Sequence, residues 1–296
     1  RSYSVTGVQT CALPIWHIVK GISVANAYRR AGAPVDFSIL SVDTEYGRFA
    51  EVFDVPLVQI PIDDETALGP DRYRGSAFYR AIEAAAPDVL VVDIHWFALD
   101  SFLRHLPCKK VFLTRQIDPR TFRFRTPDRE LVFRPEDWDL VLRTEPGFDL
   151  PFPSEAVEPL VLRNRDEILS SEAARADLGL GPGDRACLFA FSGRTGEGAE
   201  AWKSFSYLED EGWTVIRSDN REGGLFPAMD WYNAFDLVVC GAGYNQFWEA
   251  RYLRKEAYFV PFPRRFEDQA RRIALCSDYE FEENGADQAV RRILAL

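Results

Sequence analysis

Histidine is scarce in this chain: His17, His95 and His105 are the only three, so imidazole chemistry has few places to occur. Methionine is scarcer still, with Met229 alone. The five cysteines, Cys11, Cys108, Cys187, Cys240 and Cys276, are odd in number, lie far apart and form no C-x-x-C pair. Neither a disulfide framework nor a zinc site is visible in that spacing. Cys108, Cys187 and Cys240 fall in or beside apolar strand-like runs and read as buried structural thiols, a usage suited to a reducing cytoplasm. No apolar run approaches the roughly 20 residues that span a bilayer, so only peripheral membrane contact stays open. Basic residues are also short, with 35 Lys and Arg against 46 Asp and Glu and a net charge of -11. A field of that sign repels phosphate backbones and argues against a general nucleic-acid binder.

What is present fits a well-packed globular protein: 296 residues, 47% hydrophobic and 14% aromatic, enough for two domains of ordinary size. The first residues stand apart. Val5-Thr-Gly-Val-Gln-Thr-Cys-Ala-Leu-Pro-Ile15 resembles the translation of a short-read sequencing adapter, and no methionine precedes it. Residues 1–16 are therefore expected to be an assembly artefact joined to a truncated gene. A signal peptide is the poorer reading, because the basic segment is a single Arg and no A-x-A-like site follows.

From His17 onward, apolar residues recur at helical spacing to Arg30, and Gly32 and Pro34 stop the helix. Strands are expected at Val35–Leu40 and Val55–Ile60, then a helix over Tyr73–Ala86. Val89-Leu-Val-Val-Asp93 is a continuous apolar run of the kind found in buried parallel strands. A further helix, the strand Lys110–Thr114 and the strand Leu140–Arg143 complete a βαβ alternation. Residues 144–163 hold four prolines and read as a linker. The pattern then restarts: strands at Ala186–Phe191, Trp213–Arg217, Leu237–Cys240 and Tyr258–Pro261 alternate with helices, and Ala286–Leu294 closes the chain. The expected domains are residues 17–156 and 157–296.

Three loops at strand ends carry the chemistry. The first is Gly241-Ala-Gly-Tyr-Asn245, between a buried strand and a helix, where glycines let the backbone turn tightly and approach a ligand. The N–H groups opening that helix favour an anionic or hydroxyl-rich ligand. Glu249, inside the helix, is placed to accept paired hydrogen bonds from a vicinal diol such as ribose. A tight strand–helix connection alone would also explain the glycines. The second loop, Ser192-Gly-Arg-Thr-Gly-Glu-Gly198, offers small residues and free N–H groups as a phosphate cradle, with Arg194 as an added charge. It lacks the G-K-[ST] of a Walker loop, and it is not a G-x-G-x-x-G dinucleotide fingerprint. The third puts Asp268 and Gln269 at the start of a helix after the next strand. A plain acidic helix start accounts for Glu267 better than for Gln269.

In this order the three elements resemble the donor domain of GT-B glycosyltransferases, most closely the family-28 bacterial N-acetylglucosaminyltransferases of peptidoglycan-precursor synthesis. The likeness covers residues 157–276 well and the half from His17 more loosely. It implies an α/β fold of two Rossmann-like doubly wound lobes facing a cleft. By the same resemblance, Ser192, Gly193, Arg194, Thr195 and Gly196 face a pyrophosphate. Gly241, Gly243, Tyr244 and Asn245 approach the nucleotide, Glu249 holds the ribose, and Asp268 and Gln269 contact the sugar. The implied donor is a nucleoside-diphosphate sugar, most often UDP-linked, used without cofactor or bound metal. No metal-ligand cluster or D-x-D motif stands where a metal-dependent transferase would carry one.

An inverting transfer also needs a base for the acceptor hydroxyl. His17 matches the Gly-His that ends the first Gly-rich loop in the family, and Asp93, at a strand end, can orient or replace it. His95 and Arg115 are acceptor-side candidates, and His105 reads as structural. His17 and His95 can equally be packed residues without chemistry. The acceptor stays open, lipid-linked or a small glycoside. The basic, aromatic run Arg120–Arg125 could hold an acidic or lipid-phosphate acceptor, but reads first as a loop whose aromatics pack and whose arginines are solvated. The family's first strand is replaced by the adapter-like residues, so the N-terminal lobe is expected to lack it unless residues 4–8 occupy the slot. Two alternatives accompany the transferase: a nucleotide-sugar hydrolase or epimerase on the same fold, and a non-catalytic sugar-nucleotide binder.

Overall fold

The alternating strands and helices resolve into two parallel sheets, one in each of two compact units. The computed structural model describes residues 3–9, 15–64, 67–126, 129–219 and 223–296. The first unit comprises residues 1–160 and 285–296, and the second residues 161–284.

The first unit runs β1 (Tyr3–Gln9), α1 (Ile15–Arg30), β2 (Val35–Val42), α2 (Arg48–Val52), β3 (Leu57–Ile60), α3 (Ala77–Ala85), β4 (Val89–Asp93) and β5 (Lys109–Thr114). A small antiparallel hairpin, β6 (Arg123–Arg125) and β7 (Glu130–Val132), precedes β8 (Leu140–Arg143) and β9 (Glu155–Ala156). The main sheet has the order β3-β2-β1-β4-β5-β8-β9, which reverses direction between β1 and β4. Ligands of open α/β sheets bind beyond the strand ends at such a switch point. Strand β4 is buried on both faces: Leu90 and Val92 join one apolar cluster, Val89 and Val91 the other.

The expected gap at the first strand is filled. Tyr3–Gln9 lies between β2 and β4, in register Val5 against Phe37 on one side and Val89 on the other. Its backbone groups are paired along both edges, and Val5 is buried in the core, so the adapter-like residues supply the central strand themselves. Residues 10–14 of the adapter-like stretch, with Cys11, lie outside the described residues. The helix expected between β4 and β5 is instead two short 3-10 turns, Trp96–Ala98 and Leu103–His105. Ile94 at φ +66 turns the chain off the strand, and Leu99, Phe102, Leu103 and Leu106 bury the segment without a full helix. His105 is exposed. Around Arg120–Arg125, Phe122 packs in the core, while Arg120 pairs with Asp118 at the surface.

The second unit runs α4 (Ser171–Asp177), β10 (Ala186–Ala190), α5 (Glu197–Phe205), α6 (Tyr207–Asp210), β11 (Thr214–Ser218), β12 (Leu237–Gly241), α7 (Tyr244–Tyr252), β13 (Ala257–Val260) and α8 (Gln269–Cys276). Its order, β11-β10-β12-β13, has its switch point between β10 and β12. Alternation sends Ala186, Leu188 and Ala190 to one core and Cys187, Phe189 and Phe191 to the other. The thiols of Cys187, Cys240 and Cys276 are buried, and burial pushes that of Cys187 up to about 12.

The last helix, α9 (Gly285–Ile293), corrects the expected domain boundary. Its apolar face, Ala286, Ala289, Val290 and Ile293, packs with Val24, Ala27 and Tyr28 of α1, so it belongs to the first unit. An Arg30–Asp287 ion pair of 2.7 Å ties it there. An amphipathic pattern names the apolar face but not the sheet that will cover it. No helix among the described residues is long and apolar enough to cross a membrane.

Candidate functional site

In the first unit, β4 ends at Asp93, beside the switch point, and α1 presents His17 and Lys20 one turn apart. These two residues take the two oxygens of one carboxylate. The His17 Nδ1–H donates to Asp93 Oδ2 at 2.5 Å, and Lys20 Nζ donates to Oδ1 at 3.1 Å. With Nδ1 donating, the lone pair of His17 sits on Nε2, the arrangement a general base requires. His95 packs edge-on against His17 at 4.5 Å between ring centroids, and its Nδ1–H donates to the Asp93 carbonyl at 3.2 Å. All four side chains are buried.

Burial opposes a charge on Asp93, but the Lys20 ammonium and then the His17 ring outweigh it and hold the carboxyl well below the usual range. For Lys20 burial dominates and lowers the ammonium, against the pull of Asp93. Arg115, half-buried after β5, acts on both through its charge. Glu145, buried after β8, accepts the Gln116 N–H at 2.8 Å and favours the Lys20 charge. The Gln116 Oε1 is buried without a partner among the described residues. His17, Asp93, His95 and Arg115 of this cluster were legible in the sequence, whereas Lys20, Gln116 and Glu145 were not. A lysine amid Ile18, Val19 and Ile22 on a buried helix was the available signal.

In the second unit both glycine-rich loops flank the switch point. Gly243 caps α7 in extended backbone with no side chain bonded to the first turn. Tyr244 is buried and Asn245 half-buried. Gln246 Nε2 donates to the Ala190 carbonyl at 3.1 Å and so ties α7 to the end of β10. The 192–198 loop ends at Gly196, φ +90, a left-handed backbone suited to glycine at the start of α5.

That loop already holds an anion, the carboxylate of Glu197. It accepts the Arg194 N–H at 2.9 Å and both nitrogens of the Arg264 guanidinium, at 2.6 and 2.7 Å. A Cβ on Gly193 would lie 2.1 Å from Glu197 Oε2, so only glycine admits the group so close. The sequence offered Arg194 as the charge at this loop. Arg194 points its side chain to solvent, whereas Arg264, 10% exposed, reaches in from the loop after β13. Ser192 is half-buried, and Thr195 is exposed.

Glu249 is 8% exposed on α7, and its carboxyl has no hydrogen-bond partner among the described residues. Burial, and then the charge of Asp230, push it up to about 8. A buried carboxyl without partners is costly, and an incoming donor relieves the cost. Asp268 and Gln269, the expected sugar contacts, are both hydrogen-bonded at the start of α8. Asp268 caps α8 by accepting the Arg271 N–H at 2.9 Å. Buried Gln269 accepts the Phe262 N–H at 2.9 Å and donates to Glu267 at 2.9 Å. Arg272, fully buried, donates to the Ala242 carbonyl at 2.8 Å and pairs with Glu267 at 3.0 Å, so it braces the glycine turn. Among the described residues, no group of three His, Cys, Asp or Glu side chains is arranged to hold a metal ion.

No protein-family model and no curated protein matches the sequence. Solved structures match over nearly the whole chain. The spinosyn rhamnosyltransferase SpnG aligns with a TM-score of 0.62 and 15% identity, covering 99% of this chain and 92% of its own. It is also known complexed with thymidine diphosphate and with spinosyn aglycone. MurG from Acinetobacter baumannii aligns at 0.53 and 12% identity, over 100% of this chain and 90% of its own. A putative UDP-N-acetylglucosamine 2-epimerase from Listeria monocytogenes aligns at 0.55 and 12% identity, covering 100% and 95%. At such identities the likeness is one of fold: the chain has the GT-B fold.

Proposed function

We propose that this chain is a glycosyltransferase that moves a hexosyl group from a nucleoside-diphosphate sugar, UDP-linked in our reading, to an acceptor hydroxyl. The proposal includes inversion, independence of a bound metal and action in the cytoplasm on a lipid-linked acceptor or a small glycoside. The observation that carries it is Glu249. A buried carboxyl with no hydrogen-bond partner among the described residues, in the helix that opens at Gly243, suits the paired hydroxyls of a ribose. The GT-B fold, shared with sugar transferases, supports the same reading.

In the proposed reaction His17 Nε2 takes the proton of the acceptor hydroxyl, and Asp93 stabilises the imidazolium that forms. The acceptor oxygen bonds to the anomeric carbon as the bond to the diphosphate breaks. The departing oxyanion is met by the N–H groups at the starts of α5 and α7 and by Arg264, once Glu197 has given way. The likeness to an epimerase keeps a second reading alive, a hydrolase or epimerase acting on the same donor.

Calorimetry with nucleoside diphosphates and their sugars tests the donor site. Glu249→Ala is expected to weaken binding by about 1–3 kcal/mol through lost charge-assisted hydrogen bonds. Unchanged affinity, or no binding by the wild-type chain, sinks the assignment. Product analysis then separates the readings: transfer to an added acceptor supports the transferase, and free sugar or an epimer supports the second reading. His17→Ala should abolish transfer while leaving nucleotide affinity intact.

A further inference from the structure

Lys20 takes no part in the reaction just described, yet it is 3% exposed and bonded to the carboxylate that orients the proposed base. We propose that Lys20 is a positioning residue completing a Lys20–Asp93–His17 triad, in which its ammonium balances Asp93 and keeps the His17 imidazole neutral and able to accept a proton. The inference rests on His17 being the base.

A buried carboxylate 2.5 Å from an imidazole, acting alone, favours the imidazolium. An imidazolium has no lone pair on Nε2 and cannot serve as a base. Lys20 removes that bias. Its ammonium lies 3.1 Å from Oδ1, leaving the pair it forms with Asp93 without net charge. The geometry follows from the helix. His17 and Lys20 are three positions apart on α1, so they reach the two oxygens of one carboxylate, and the two bonds hold Asp93 in a single orientation with Oδ2 aimed at Nδ1.

The wider surroundings agree. Beyond α1, Arg115 after β5 acts by its charge on both Asp93 and Lys20, and Glu145 after β8 acts on Lys20. His95, after β4, lies against the His17 ring. Two cations, Lys20 and Arg115, thus face two carboxylates, Asp93 and Glu145. The Glu145 carboxylate is itself engaged by the Gln116 N–H. A neutral His17 leaves these four charges balanced, and a buried group costs least when its charges are paired.

Having only three histidines makes the test direct. Imidazole resonances of the full-length protein are followed by NMR from acid to alkaline pH, with exposed His105 as internal reference. In the wild-type protein the protonation midpoint of His17 is expected below pH 7, with Nδ1 carrying the proton. A midpoint above 7 overturns the proposal without any variant. Lys20→Met should raise the His17 midpoint by about one pH unit or more, and Lys20→Arg should restore it. Lys20→Gln, which keeps a hydrogen bond to Asp93 but no charge, should behave like Lys20→Met. If Lys20 merely anchors α1, the neutral variants lose thermal stability but leave the midpoint in place, and the proposal fails. The acid limb of the pH–rate profile should move with the midpoint. Full transfer activity in His17→Ala would remove the base assignment, a failure separate from any result of the titration.

Discussion

Glu249 shows how one residue can couple binding to protons. Its carboxyl is raised from 4.5 to about 8, so the empty folded protein keeps a proton that the unfolded chain loses above pH 4.5. The stability from this group is therefore full below pH 4.5, declines as pH rises and is gone above about 8. The slope is at most about 1.4 kcal/mol per pH unit. Urea unfolding between pH 5 and 8 should show this decline in the wild-type protein, and Glu249→Gln should flatten it. A diol that needs both carboxylate oxygens as acceptors must bind the ionised form. Donor binding at pH 7 is accordingly expected to release a proton, read as a calorimetric enthalpy that varies with the buffer's ionisation heat. A buffer-independent enthalpy would count against the role given to Glu249. The residue was legible from the sequence, because a glycine turn followed by a carboxylate six positions after Gly243 is a local pattern. Its burial beside Tyr232, Cys240 and Asp230, with no hydrogen-bond partner among the described residues, was not, since those neighbours come from other parts of the chain.

At the scale of elements, the loop between β10 and α5 and the loop after β13 act together. Glu197 and Arg264 are 67 positions apart, and parallel pairing of β10, β12 and β13 brings their loops to one end of the sheet. A carboxylate gripped by an arginine fork and a main-chain N–H occupies the kind of cradle a phosphate takes. Replacing it with a neutral amide should ease displacement. Glu197→Gln is expected to tighten nucleoside-diphosphate binding by about tenfold while lowering stability by about 1–3 kcal/mol, because Arg264 loses a charged partner. Weaker binding in that variant would mean that the pair builds the cradle instead of filling it. The sequence pointed to the loop and to Asp268 and Gln269 but assigned the charge to Arg194. Backbone spacing locates a loop well, yet it does not say which of several nearby arginines turns inward.

At the scale of the whole chain, α9 returns to the first unit, and its entry is tight. A Cβ on Gly285 would stand 1.6 Å from the Glu158 carbonyl oxygen and 2.8 Å from the Pro159 carbonyl carbon. Gly285→Ala must push the helix off its seat against α1 and is expected to cost about 2–4 kcal/mol in chemical denaturation. Gly183→Ala, whose added Cβ meets nothing within 4 Å, serves as control. Equal stability in the two variants would show that α9 contributes little to holding the first unit together.

By itself the sequence determined the α/β class, most strand positions, the glycine turns and the residue types at strand ends. These depend on spacings of two to four residues and on which side chains are apolar, and both are written locally. Only the tertiary structure decided that Tyr3–Gln9 fills the central slot, that α9 covers the first unit, that Arg264 instead of Arg194 faces the anion, and that Lys20 shares Asp93 with His17. Each of these is a contact at a few ångströms between residues distant in sequence. Such contacts follow from strand order and register, which no short window of residues contains.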